Sequence, residues 1–224
     1  MKPLALPLLV AALLAAACQS PALAAERAVA APVPAVKASE SGLKTAIFAG
    51  GCFWGIEGVF SHTRGVTSAV SGYHGGSKAD ADYQTVSGGG TGHAEAVKVT
   101  YDPKVIRYVQ LLQIFFSVGA DPTMLNAQGP DRGTQYRSAL VPVNVEQAKV
   151  AKAYLAQMAA SGVWDRPIVT KVEAYKAFYP AESYHQDFMD KNPDQGYIVR
   201  WDKPKVAALK VLYPKVYRAA FKTG

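Results

Sequence analysis

The chain has 224 residues, 50% of them hydrophobic, and a formal net charge of +7 from 24 basic and 17 acidic side chains. The basic residues are scattered, and the densest stretch, Lys203 to Lys215, is spaced like a solvated helix face, so nothing here forms a nucleic-acid-binding patch. Two cysteines and four histidines have no metal-ligand spacing, which argues against both a disulfide scaffold and a bound metal.

The N-terminus reads as an export signal. Met1-Lys2 is a short basic start, Leu4 to Ala17 is almost wholly apolar, and Ala22-Leu23-Ala24 offers a small-residue cleavage site. The apolar run falls short of the roughly 20 residues that span a bilayer. Cys18 follows Leu13-Leu14-Ala15-Ala16-Ala17, so two outcomes stay open: cleavage near Ala24, or lipidation of Cys18 as the first mature residue. Either places the protein in the periplasm or cell envelope, with membrane contact only through such an anchor. Residues 25–42, rich in Ala, Pro, Val and Ser, read as a flexible linker, and 43–224 as one folded domain with enough chain for a core.

Along that domain, Thr45 to Ala49 predicts a strand and Cys52 to His62 a helix with apolar residues at three- and four-residue intervals. Val66 to Tyr73 alternates as a strand, and Ser87 to Gly92 is a glycine-rich loop. Ala94 to Tyr101 is a strand with Glu95, Val97 and Val99 on one face. Tyr108 to Val118 predicts a buried helix, and Gly119 to Thr134 a long loop. Gln135 to Val141 is read as a strand and Val145 to Met158 as a helix capped by Asn144. Ile168 to Ala174 predicts a strand, Ala181 to Lys191 a helix, and Lys203 to Ala220 a C-terminal helix. The order predicts an α+β fold: a ferredoxin-like split βαβ, two-layer sandwich with additional helices and loops.

Cys52 follows Gly50-Gly51 at a strand-to-helix turn, where unpaired amides and the helix dipole favour a thiolate. The two glycines permit a tight turn and close approach by a substrate, and Phe53 and Trp54 add flat apolar surface beside the sulfur. Read alone, this is either a nucleophile beside a pocket for a small apolar group or a small core cysteine.

The run Gly51-Cys52-Phe53-Trp54-Gly55 resembles the active-site signature of the peptide methionine sulfoxide reductase A family. The resemblance continues through Gly72-Tyr73-His74-Gly75-Gly76, Tyr83, Gly92-His93-Ala94-Glu95-Ala96, Asp121-Pro122-Thr123, Gln128 to Ser138 and Tyr184-His185-Gln186, covering roughly Thr45 to Tyr197. It implies reduction of methionine-S-sulfoxide, free or in proteins, and repair of oxidised envelope proteins. By the same resemblance Cys52 is the nucleophile, Glu95 the acid that donates to the sulfoxide oxygen, and Tyr83 and Tyr136 phenols that bind that oxygen. Asp131 is an acidic residue near the nucleophile, Phe53 and Trp54 cradle the substrate methyl, and His185 supports the site.

One departure matters. Many family members carry a resolving cysteine after a Gly-Tyr pair; here Gly196-Tyr197 is followed by Ile198, and no cysteine lies between Cys52 and Gly224. The expected reductant is therefore an external thiol, a small thiol or a thioredoxin-like protein, with no bound cofactor. Two rivals remain: an envelope cysteine hydrolase pairing Cys52 with His93, and a non-catalytic lipoprotein module with an inert cysteine.

Overall fold

The computed structural model describes residues 28–36 and 40–224. The expected export signal and Cys18 lie outside the described residues. No helix among the described residues is long and apolar enough to cross a membrane.

The centre is the expected split βαβ. Strands β1 (Lys44–Ala49), β2 (Val66–His74) and β3 (Ala94–Tyr101) join β6 (Ala139–Val141) in the antiparallel order β6-β1-β3-β2. Short β7 (Lys171–Val172) and β8 (Phe178–Pro180) extend the two edges, β7 parallel to β6 and β8 antiparallel to β2. Helices α1 (Phe53–Ser61), α3 (Tyr108–Ile114) and α4 (Val145–Ala160) supply the apolar faces opposing the sheet.

Alternation sorts the two sheet faces. Phe48, Val97 and Val99 enter the main core with Phe60, Leu111, Leu112 and Phe115, whereas Ile47, Ala49, Ala94, Ala96, Ala139 and Val141 form a thin second cluster. Glu95 shares the Val97 face and so points into the helical layer, where it is 2% exposed. α4 is capped as read from sequence, with the Asn144 side chain accepting from the Gln147 amide at 2.9 Å.

Several expected elements are shorter or broken. The helix begun at Tyr108 widens at Phe115–Gly119 into a π turn. The strand expected from Gln135 forms only at Ala139–Val141, because Gly133, at φ +126, admits a 3-10 turn over Thr134–Tyr136. Of Ile168–Ala174 only Lys171–Val172 joins the sheet, since the Val169 and Thr170 amides donate to the Pro122 carbonyl. The helix expected over Ala181–Lys191 divides into a 3-10 turn, Ser183–His185, and α5 (Phe188–Lys191), broken where Asp187 adopts φ +55. The C-terminal helix is α6 (Lys203–Leu212), ending before Pro214, and Lys205 on it is buried. The loop between α3 and β6 carries a two-residue hairpin, β4 (Ala127–Gln128) and β5 (Asp131–Arg132).

The flexible linker read at 25–42 is corrected over residues 28–36, which lie against the domain. Val29 N–H donates to the Ser117 carbonyl, Ala31 N–H to Ser117 Oγ, Tyr154 to the Pro32 carbonyl and Gln157 to the Val33 carbonyl, and Ala31 is buried. A sequence poor in apolar periodicity is held here through its backbone groups, which composition does not register.

Candidate active site

Cys52 is the residue preceding the first turn of α1, and its own side chain makes no cap. Gly51 reaches it at φ +86, and a Cβ there would lie 2.5 Å from Gln128 Cβ. The close approach at this glycine is therefore made by β4. A Cβ on Gly55 would meet Asp202 Oδ1 at 2.3 Å, so that glycine lets the buried Asp202 carboxyl come against α1.

The thiolate expected from the helix dipole is not favoured at Cys52. Burial pushes the Cys52 thiol well above its ordinary range, the Glu95 and Asp202 charges add to this, the Trp54 amide opposes it, and Asp131 adds again. Burial is the largest cause, and with the neighbouring acidic groups it outweighs the one amide, Trp54 N–H, that favours the charged form.

Glu95 enters from β3, and its Oε2 accepts from the Phe53 amide at 3.0 Å, on the residue after Cys52. Burial raises its pKa to about 8; the Phe53 N–H opposes the rise, and Asp131 and Asp202 reinforce it. Near neutrality it is thus a carboxylic acid. Tyr83 opens α2 (Tyr83–Ser87), whose cap Asp82 accepts from Thr85. Burial, then the Glu95 and Cys52 charges, push its phenol up to about 12. Tyr136 ends the 3-10 turn, its phenol raised by burial and by the charges of Glu95, Asp131, Tyr83 and Cys52. Asp131, on β5, accepts from the Tyr197 hydroxyl. The sequence-derived residues therefore share one electrostatic neighbourhood.

The aromatic residues divide the work. Phe53 is 1% exposed and backs the site against Tyr73, Tyr83 and His185. Trp54 is half-buried, stacked on Phe188 with centroids 3.8 Å apart and 9° between planes. Its indole N–H donates to His185 Nδ1 at 3.1 Å. Burial lowers the His185 pKa, so the ring is neutral with its proton on Nε2.

Glu182, Tyr197, Asp202 and Lys205 were not singled out from sequence. Glu182 accepts from the Tyr83 amide at 2.9 Å and the Tyr73 hydroxyl at 2.8 Å. Tyr197, Trp201 and Lys205 border the same hollow as Cys52, Pro130 and Asp131, and Lys205 Nζ donates to the Gly119 carbonyl at 2.9 Å. The Gly196-Tyr197 pair was a usable signal for Tyr197; Asp202 and Lys205 carried none.

His93, the base required by the hydrolase alternative, has both ring nitrogens engaged elsewhere, with Gly76 N–H at 3.2 Å and the Ser77 carbonyl at 2.8 Å. Among the described residues, no group of three or more His, Cys, Asp or Glu side chains is placed to hold a metal ion.

Residues 44–215 match the family described as peptide methionine sulfoxide reductase. A reductase designated MsrA 2 from Mesorhizobium japonicum is 57% identical over 79% of this chain and 90% of its own length. An MsrA from Deinococcus radiodurans is 52% identical over 75% of this chain and 81% of its own length. Among solved structures, reduced Mxr1 from Saccharomyces cerevisiae gives a TM-score of 0.61 at 37% identity, covering 73% of this chain and 92% of that one. With the signature cysteine, the buried acid and the fold all in place, the chain belongs to the peptide methionine sulfoxide reductase A family.

Proposed function

We propose that this reductase acts on the S epimer of methionine sulfoxide, free and in polypeptides, through a Cys52 sulfenic acid that an external thiol resolves. The observation carrying this reading is Glu95, an acid that keeps its proton near neutrality while bonded to the amide beside Cys52.

A sulfoxide is a poor electrophile until its oxygen is protonated or strongly hydrogen-bonded. Glu95, Tyr83 and Tyr136 are three O–H donors suited to that oxygen, and Trp54 offers a flat wall for the methyl group. The Cys52 sulfur attacks the sulfoxide sulfur as Glu95 protonates the oxygen. Oxygen passes to Cys52 as the thioether leaves, and the thiol proton replaces the one lent by Glu95. The balance is RSH + R′₂SO → RSOH + R′₂S, with two electrons moving from the cysteine sulfur to the sulfoxide sulfur. With Glu95 neutral, the largest of the charges opposing a thiolate at Cys52 is absent.

After Gly196-Tyr197, where the family resemblance puts the resolving cysteine of many members, this chain has Ile198, wholly buried at the start of a π turn. An external thiol, small or on a thioredoxin-fold protein, attacks the sulfenic sulfur and releases water. A second thiol then frees Cys52 from the mixed disulfide. The signal-like residues 1–24 support oxidised envelope proteins as the clients.

The test incubates the purified protein and dithiothreitol with a peptide carrying either sulfoxide epimer, and measures methionine. Reduction of the S epimer alone is expected. Equal reduction of both epimers, or of neither, overturns the reading.

A further inference from the structure

Glu57 lies two residues beyond the Gly51–Gly55 signature, on the helix that begins after Cys52. It is 0% exposed, and the chemistry above makes no use of it. Its place on α1 is informative. Trp54, Glu57 and Gly58 stand at i, i+3 and i+4, a single stripe of the helix. The whole stripe is occupied by one short segment, residues 185–189.

His185 accepts from the Trp54 indole, and Phe188 stacks on its ring. The Asp187 amide donates to Glu57 Oε2 at 3.1 Å. Met189 fills the space left by Gly58, where a Cβ would lie 2.4 Å from its Cε. The segment is no regular helix: Asp187 holds φ +55, a backbone state that a non-glycine residue keeps only when its surroundings impose it. Gln186 anchors the opposite side, accepting from Ser71 N–H and donating to the Ser71 and Ala181 carbonyls. Held between Ser71 on β2, through Gln186, and Glu57 on α1, the turn has little freedom, and its two aromatic residues fix the Trp54 ring.

We propose that Glu57 is a positioning residue for substrate binding: through the Asp187 amide it holds the 185–188 turn, whose His185 and Phe188 set the Trp54 ring beside Cys52. The proposal rests on Trp54 forming a wall of the sulfoxide site. Glu57 acts as an uncharged hydrogen-bonding group, in keeping with a burial-raised pKa of about 8, so glutamine should substitute for it.

The test combines two readouts. In ¹H–¹⁵N spectra the protein gives three indole signals, from Trp54, Trp164 and Trp201, with Trp54 assigned through Trp54→Phe. In Glu57→Ala the Trp54 signal should move and exchange with solvent about tenfold faster, while the other two stay in place. KM for peptide sulfoxide should rise about fivefold or more, with the saturated single-turnover rate changed by less than about threefold. Glu57→Gln should restore both values. Wild-type KM with an unmoved Trp54 signal in Glu57→Ala overturns the proposal, as does a fall in rate with KM unchanged. Should Glu57→Ala lose all three signals by unfolding, Gln186→Ala decides, since it loosens the same turn from the other side: a Trp54-selective change supports the proposal, and none overturns it. If wild-type protein reduces no sulfoxide, the reading of the reaction falls while the indole signals still decide what Glu57 holds.

Discussion

Burial acts on Cys52 and Glu95 in the same direction, so each holds its proton more tightly than it would in water. For Glu95 this preserves an acid able to donate at neutral pH; for Cys52 it disfavours the thiolate. Glu95→Gln keeps the shape and the bond from the Phe53 amide but removes the acidic proton. Single-turnover methionine formation should fall by about 10²–10⁴-fold, the usual worth of general acid catalysis. The competent form of Glu95 exists below its pKa of about 8, so the wild-type rate should drop as pH rises through that value. A stopped-flow pH series checks both points: the alkaline limb should vanish in Glu95→Gln, and a loss below about threefold would remove Glu95 from the role.

The elements that carry the site are held by close backbone approach as much as by side-chain packing. β1 passes into α1 through Gly51, whose positive φ and contact with Gln128 leave no room for a side chain. Gly51→Ala should cost about 1–2 kcal/mol for the left-handed backbone alone, with the 2.5 Å approach adding to it. Urea denaturation should show this as a lower midpoint with an unchanged slope, and wild-type stability would contradict the tight turn. The 3-10 turn bearing Tyr136 is held in a similar way. Arg137 pairs with Glu173 at 2.7 Å and donates to the Thr134 and Gly92 carbonyls, tying the turn to the chain entering β3.

Two buried carboxyls, Glu57 and Glu95, have folded pKa values of about 8 against 4.5 for an unperturbed glutamate. Each holds a proton in the folded state that it loses more readily when unfolded. Their stabilising contribution is therefore complete below pH 4.5 and lost as pH rises through about 8. The urea midpoint should decline across that window, and the decline should flatten in Glu57→Gln/Glu95→Gln; an unchanged slope in that double variant would refute the assignment. For the reaction as a whole, reductant-free protein should form about one methionine per chain and then stop, with dimedone labelling the Cys52 peptide stoichiometrically. Cys52→Ser should form none. Two methionines per chain with an internal disulfide would mean that Cys18 had been retained and used.

Much of the fold was legible because its signals are local. Three- and four-residue apolar spacing marked α1, an apolar run marked α3, the Asn144 cap marked the start of α4, and alternation marked β2 and put Glu95 on the same face of β3 as Val97 and Val99. The signature run and the residues matching it named Cys52, Glu95, Tyr83, Tyr136 and Asp131 before any coordinates. Other features depend on partners distant in the chain. The edge strand Phe178–Pro180 is too short to show a period and forms because β2 offers its edge. Asp187 breaks a helical pattern because Glu57 captures its amide across 130 residues of chain. Asp202 comes against α1 at Gly55, and Lys205 borders the Cys52 hollow, only because residues 198–212 pack on α1. The protonation of Cys52 was likewise decided in three dimensions: a helix terminus is visible in sequence and favours a thiolate, whereas the burial and carboxylates that outweigh it exist only once the chain has folded.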